Sequence, residues 1–226
     1  MPNDPSLPSL LAFLAVAAFA ALGPLLAWWR WAEGRLPAAA GWLVLWLVAT
    51  GLPSAMGFFH EGNLVPWLPL FLTFFLSIAT GIALSNIGRR LASSVPLVAL
   101  VAYQGFRLPL ELVLHVWVDA GVVPEQMTWT GANIDVWSGV AAVVAVPWVL
   151  RWPRLAWIPS VVGFVLLLNV VRTVVQSMPT PLQRYDEPVL LALSFPEVWI
   201  ASVCVAGAWM AHLVTFRALL QPPARP

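Results

Sequence analysis

Gln104, Arg107, Glu111, His115 and Asp119 follow one another at spacings of three or four residues inside the apolar stretch AYQGFRLPLELVLHVWVDAG. On a helix that spacing keeps neighbours on one face, with the stripe drifting over the full length. A second apolar stretch, WIPSVVGFVLLLNVVRTVVQSM, repeats the pattern with Asn169, Arg172 and Gln176. An ionised side chain at the centre of a bilayer costs about 2.5–3.5 kcal/mol on insertion scales, so it persists where it is paired or used. The chemistry on offer is acid–base work by Glu111, relay or ligation by His115, and anion holding by Arg107 and Arg172. Gln104, Asn169, Gln176 and Asp135 are the expected substrate-binding groups.

Depth supplies a pairing. Counted back from the same end of their helices, Glu111 and Arg172 lie about two turns in, so a Glu111–Arg172 ion pair is expected. Arg107 then needs another partner, with Asp135, Asp119 and Glu197 as the candidates. Pro109 cannot donate to the carbonyl of Gly105, which predicts a kink or opening beside Arg107. The plain alternative is that these groups only join helices, at about 0.6 kcal/mol per polar contact on average.

Three histidines limit metal chemistry. His60 and His115 could share a metal with Glu61, Glu111 or Asp119, but neither the His-Glu adjacency nor the Glu-x-x-x-His spacing is specific for a metal. A bis-histidine haem needs imidazoles at matched depth, and only His60 and His115 approach that. His212 reads as a packed or snorkelling residue. There is no lysine, which excludes a retinal Schiff base. The single cysteine, Cys204, cannot form an internal disulfide and reads as a small buried hydrophobe. No cofactor is implied, and no phosphate loop, dinucleotide fingerprint or serine-nucleophile motif occurs.

The elements that hold these residues follow from composition. The chain has 226 residues, 61% hydrophobic and 9% charged. Soluble domains carry about 25% charged residues, so this is an all-α polytopic transmembrane bundle in one domain, 1–226. Stretches of roughly 20 apolar residues are expected to span at about 7–29, 38–59, 65–88, 93–118, 136–153, 155–178 and 195–217. The fifth is the shortest. No positive charge precedes the first, so it reads as a retained span rather than a signal peptide.

Arginine placement orients the chain. Arg30, Arg35, Arg89, Arg90, Arg151, Arg154, Arg217 and Arg225 fall in alternate loops on one side, and Arg184 alone falls on the other. Basic loops stay cytoplasmic, which puts the N-terminus outside and the C-terminus inside, in the cytoplasmic membrane. Tryptophans flank the span ends: Trp28, Trp29, Trp31, Trp148, Trp152 and Trp157 inside, Trp67, Trp117, Trp129 and Trp137 outside. Trp42, Trp46 and Trp209 fall within spans. Ser194 and Glu197 match a capping box that would start the last helix near Phe195. Pro188 to Leu193 then form a short apolar piece of interfacial or re-entrant character. The loop 119–135 is either a lid over the polar residues or a turn that caps the fifth span. The ends, MPNDPSLP and QPPARP, read as disordered tails.

FRLPLELVLH (106–115), taken with PEQMTWTGANIDVWSG (124–139), resembles an uncharacterised family of small bacterial membrane proteins. The likeness covers the fourth span and the start of the fifth, and it implies no activity. Alkaline-ceramidase-like hydrolases place a histidine pair on their final helix, where this chain has only His212.

Three functions remain open: an enzyme acting on a lipid or prenyl-like substrate, a small transporter or channel, and an assembly subunit whose charges pair with other membrane subunits. The lipid bilayer is the expected surrounding, and no nucleic-acid partner is expected.

Overall fold

The computed structural model describes residues 4–59, 64–189 and 191–221, with side chains 64–68 left out. His60, Glu61, the Trp67 side chain, Arg225, residues 1–3 and residues 222–226 lie outside what is described; the expected N-terminal tail is shorter than MPNDPSLP, because Ser6 caps a helix that starts at Leu7. Among the described residues the chain is all-α without a strand. Its helices are α1 (Leu7–Arg30), α2 (Leu36–Ala55), α3 (Leu64–Leu84), α4 (Asn86–Ser94), α5 (Leu97–Tyr103), α6 (Arg107–Asp119), α7 (Val136–Arg151), α8 (Trp157–Gln176) and α9 (Ala206–Leu220). Among the described residues five stretches are long and apolar enough to cross a membrane: Leu7–Arg30, Leu36–Ala55, Leu97–Asp119, Pro153–Gln176 and Ile200–Leu220. A sixth is the bent pair Pro69–Leu84 and Asn86–Ser94, and α7 is apolar but shorter.

The third and fourth expected spans need redrawing. The chain turns by 62° between α3 and α4. Ser85 makes the break by accepting from the Ile87 N–H at 3.1 Å and donating to the Ile82 carbonyl at 2.7 Å. Gly88 permits the close fold-back, because a Cβ there would lie 2.0 Å from the Ala83 carbonyl oxygen. α4 is amphipathic: Leu91 and Ala92 are buried while Arg89 and Arg90 face out. That is the pattern of a helix lying along an interface. The next span therefore starts at Leu97, after Pro96, rather than at 93.

The expected opening beside Arg107 is present as a 3₁₀ turn, Gln104–Phe106, between α5 and α6. The last helix begins later than its capping-box sequence predicts. Residues 195–197 form a turn, Val198 N–H donates to the Ser194 carbonyl at 2.7 Å, and a π-helical turn, Ile200–Val205, leads into α9. Ser194 thus contributes its carbonyl, and the first helical turn lies beyond Glu197.

One apolar core joins α1, α6, the loop after α6 and the π turn around Phe13, Trp117 and Met127. Trp117 is fully buried against Phe13, and its indole N–H donates to Ser9 Oγ at 2.9 Å. Ala17, Ala20 and Ala208 bring helices together there, as small residues do where lipid gives no hydrophobic drive between helices. Trp46 and Trp209 tie elements together, donating to the Ser202 carbonyl at 3.0 Å and to Thr80 Oγ1 at 2.9 Å. Trp42 is exposed.

Candidate functional site

Arg107 opens α6, directly after the 3₁₀ turn, and is 2% exposed. Its guanidinium grips Asp135 as a fork: Nε donates to Oδ2 at 2.7 Å and Nη2 to Oδ1. Nη1 donates to the Gly163 carbonyl of α8 at 2.9 Å and meets His212 Nε2 of α9 at 3.1 Å. Four elements thus converge on one cation. This is the one salt bridge among the described residues. Asp135 answers the open question of Arg107's partner.

Two glycines make the convergence possible. A Cβ on Gly139 would stand 2.4 Å from the Leu108 backbone nitrogen, so α6 and α7 touch backbone to backbone there. Asp135 lies one turn before Gly139 and is thereby held against Arg107. A Cβ on Gly163 would lie 2.8 Å from His212 Cε1 and 3.4 Å from Arg107 Nη1. The bare backbone at 163 lets its carbonyl face the guanidinium.

Asn133 couples this knot to Glu111. Its Nδ2 donates to Glu111 Oε1 at 3.1 Å, to Oε2 at 3.3 Å and to the Met127 carbonyl at 3.0 Å. Its Oδ1 accepts from the Asp135 backbone N–H at 3.0 Å. The loop before α7 therefore builds the site as well as leading into the helix. The Asp135 side chain does not cap α7, since it is committed to Arg107; the Asp135 carbonyl accepts from Ser138 Oγ at 2.6 Å instead.

Arginine is a donor only, so the His212 Nε2 facing Nη1 is an acceptor. The imidazole is therefore the uncharged tautomer with its proton on Nδ1. That Nδ1 is buried without a partner, and so is Gln104 Oε1. Gln104 Nε2 donates to the Ala208 carbonyl at 3.2 Å, one turn before His212 on α9.

The expected Glu111–Arg172 ion pair does not form. Arg172 is exposed and donates to Asn169 Oδ1 at 2.7 Å, while Asn169 Nδ2 donates to the Ala132 carbonyl at 2.8 Å. Depth had been matched, but direction around the helix had not. Arg172 continues the exposed stripe Ile158, Val161, Val165 and Leu168 of α8. The opposite face, with Leu167, Val170 and Val174, points inward.

His115 also stays apart. It stacks on Trp129 at 4.1 Å between ring centroids, half-buried, with Nδ1 unpartnered. Asp119 is exposed at the end of α6. Gln176 serves through its backbone, whose carbonyl accepts from the Arg184 and Tyr185 N–H groups. Among the described residues no three His, Cys, Asp or Glu side chains cluster as metal ligands. The sequence places Asn133 only among the hydrogen-bonding groups of the 119–135 loop, and it does not mark His212 and Gly163 as parts of the site. Asn133 carried a signal in standing two residues before Asp135, whereas His212 and Gly163 carried none.

A cavity of about 70 Å³ lies against this cluster. Arg107, Glu111, Asn133 and Asp135 line one wall. The rest of the lining is hydrocarbon, including Leu167, Val170 and Val174 of α8 and Ile200, Ala201 and Cys204 of the π turn. Val189 and Leu191, from the short apolar piece before the last helix, also line it. Gln126 fastens that piece to the loop after α6, its Nε2 donating to the Glu187 carbonyl at 2.7 Å. A water needs about 10–15 Å³ in such a measure, so the space holds several waters or a short run of hydrocarbon. Irregular π turns recur at functional sites, and here one forms a wall of the cavity.

Compared with family models, with curated proteins and with solved structures, the chain finds no match.

Proposed function

We propose that this chain is a seven-span membrane enzyme, N-terminus outside, that takes the polar end of a lipid or prenyl-like molecule into the cavity beside Glu111. The observation that carries the reading is a carboxyl group set in a hydrocarbon-walled cavity with a single amide as its partner. A carboxylate offers about four lone-pair sites, and Asn133 uses only part of them. A polar group delivered along the apolar wall meets an oxygen able to exchange a proton with it. Arg107, Asp135 and His212 fix the position of that wall, and rigid support of this kind keeps reacting groups in register. The counts of basic residues in alternate loops favour the orientation, and seven helical stretches can be traced if α3–α4 and α7 each cross.

A transporter is the second reading, favoured by the broken α3–α4 pair and by the 3₁₀ turn beside Arg107. The assembly-subunit reading keeps one support: Arg107 finds its acid within the chain, but Arg172 is exposed on α8 with only Asn169 as its partner.

The test is lipid analysis of protein purified in native-membrane nanodiscs. A lipid enriched over the surrounding membrane, and lost in Ala201→Phe, which fills the cavity, supports binding. Equal lipid composition in both preparations contradicts it.

A further inference from the structure

The charge balance of the cavity narrows what it can hold. Arg107 is the only cation in its lining, and all three of its nitrogens are engaged, by Asp135, Gly163 and His212. Asp135 cancels its charge, and the His212 tautomer adds none. Arg172, the other arginine once assigned to anion holding, faces away on the exposed stripe. What remains for a ligand is Glu111, which lines the cavity and whose oxygens have Asn133 as their one hydrogen-bond partner among the described residues. An anionic head here would bury a charge with no available counter-ion beside a carboxyl group, which is the costliest arrangement in a low-dielectric site. A hydroxyl costs far less to bury and donates the hydrogen bond that Glu111 can accept.

We infer that the cavity selects an uncharged lipid alcohol, a hydrocarbon or isoprenoid chain ending in a hydroxyl group, and rejects its phosphorylated counterpart. The hydroxyl donates to Glu111, the first few carbons fill the space beside Leu167, Val170 and the π turn, and the rest of the chain extends out of the cavity. This rests on the reading of the cavity as a lipid site and names the head group that it takes. An ammonium head would also meet Glu111, but stripping its water in a largely hydrocarbon cavity carries a desolvation penalty that one carboxyl group without further acceptors does not offset. The hydroxyl is the head that the balance favours.

Cys204 provides the readout. It is the only cysteine of the chain and lies in the cavity wall. The full-length protein in nanodiscs is treated with a small membrane-permeant methanethiosulfonate, and the rate of Cys204 modification is followed by mass spectrometry. The probes are geraniol, geranyl phosphate and geranylamine, which share one chain. Geraniol is expected to slow modification at least about tenfold, the equivalent of 1.4 kcal/mol of binding preference, while the phosphate at equal concentration has little effect. Should Cys204 prove unreactive, the shift in thermal midpoint with the same three probes gives the ranking. Protection by geranyl phosphate or geranylamine equal to or greater than that by geraniol overturns the head-group inference and leaves the lipid site standing. No protection and no midpoint shift with any probe overturns both.

Discussion

Arg107 and Asp135, 28 residues apart, form a forked ion pair inside the helix bundle, with Arg107 Nε donating to Asp135 Oδ2 at 2.7 Å. The pair locks the start of α6 to the start of α7, and the same guanidinium reaches α8 through Gly163 and α9 through His212. Breaking a buried pair by removing one partner leaves an uncompensated charge and costs about 3–5 kcal/mol. Asp135→Asn and Arg107→Leu should each lower unfolding free energy by about that much, read by denaturant titration in bicelles. Replacing both, Arg107→Met with Asp135→Leu, should recover a good part of the loss. A double variant whose loss equals the sum of the single ones would contradict the pair.

The backbone contact at Gly139 is the mechanical condition for that ion pair. Gly139→Ala drives a methyl into the Leu108 backbone, and overpacking of this kind costs about 1–3 kcal/mol. Gly41 in α2 has open space around its would-be Cβ. Gly41→Ala should therefore be neutral or stabilising, by up to about 1 kcal/mol from helix propensity. Equal thermal midpoints for the two variants would show that α6 and α7 do not meet as described.

Arg172 has only Asn169 as a partner and projects from the exposed face of α8. Arg172→Leu should change unfolding free energy by less than about 1 kcal/mol, the range of exposed polar contacts. It should also leave lipid binding intact. A loss comparable to that of Asp135→Asn would restore the pairing with Glu111 that the geometry denies.

The proposed orientation predicts labelling from opposite sides. In a Cys204→Ala background, Asp186→Cys should react with an impermeant maleimide on intact cells, and Arg154→Cys only after permeabilisation. The reverse pattern would invert the topology.

The helical class and the apolar stretches could be read directly, because a chain with 9% charged residues has too little polar surface for water. The break at Ser85 was harder to see. Hydropathy averages over a window, while a serine cap and the missing Cβ of Gly88 act at single residues. The site was half legible. Spacing along one helix placed Arg107 and Glu111 together, and Asp135 stood among the partners considered for Arg107. Depth matching failed for Arg172 because height along a helix says nothing of its azimuth; the stripe Ile158, Val161, Val165 and Leu168 held that missing coordinate. His212 was invisible because its role depends on how α9 packs against α8, with Gly163 leaving the room. The segment FRLPLELVLH with PEQMTWTGANIDVWSG, singled out on resemblance, contains Arg107, Glu111, Asn133, Asp135 and Gly139, the greater part of the cluster.

The central claim is that Glu111 exchanges a proton with a lipid held in the cavity, and turnover tests it most directly. Wild-type protein and Glu111→Gln, each shown to be folded by an unchanged elution profile and thermal midpoint, are incubated with lipid extract from the membranes in which the protein is made. The extract is compared by mass spectrometry before and after. The account predicts that one lipid species is consumed and a product appears with the wild type, with the rate lowered at least about a hundredfold in Glu111→Gln, the scale of a lost general acid or base. An extract left unchanged by the wild type, or a Glu111→Gln variant that converts lipid at the wild-type rate, would contradict it.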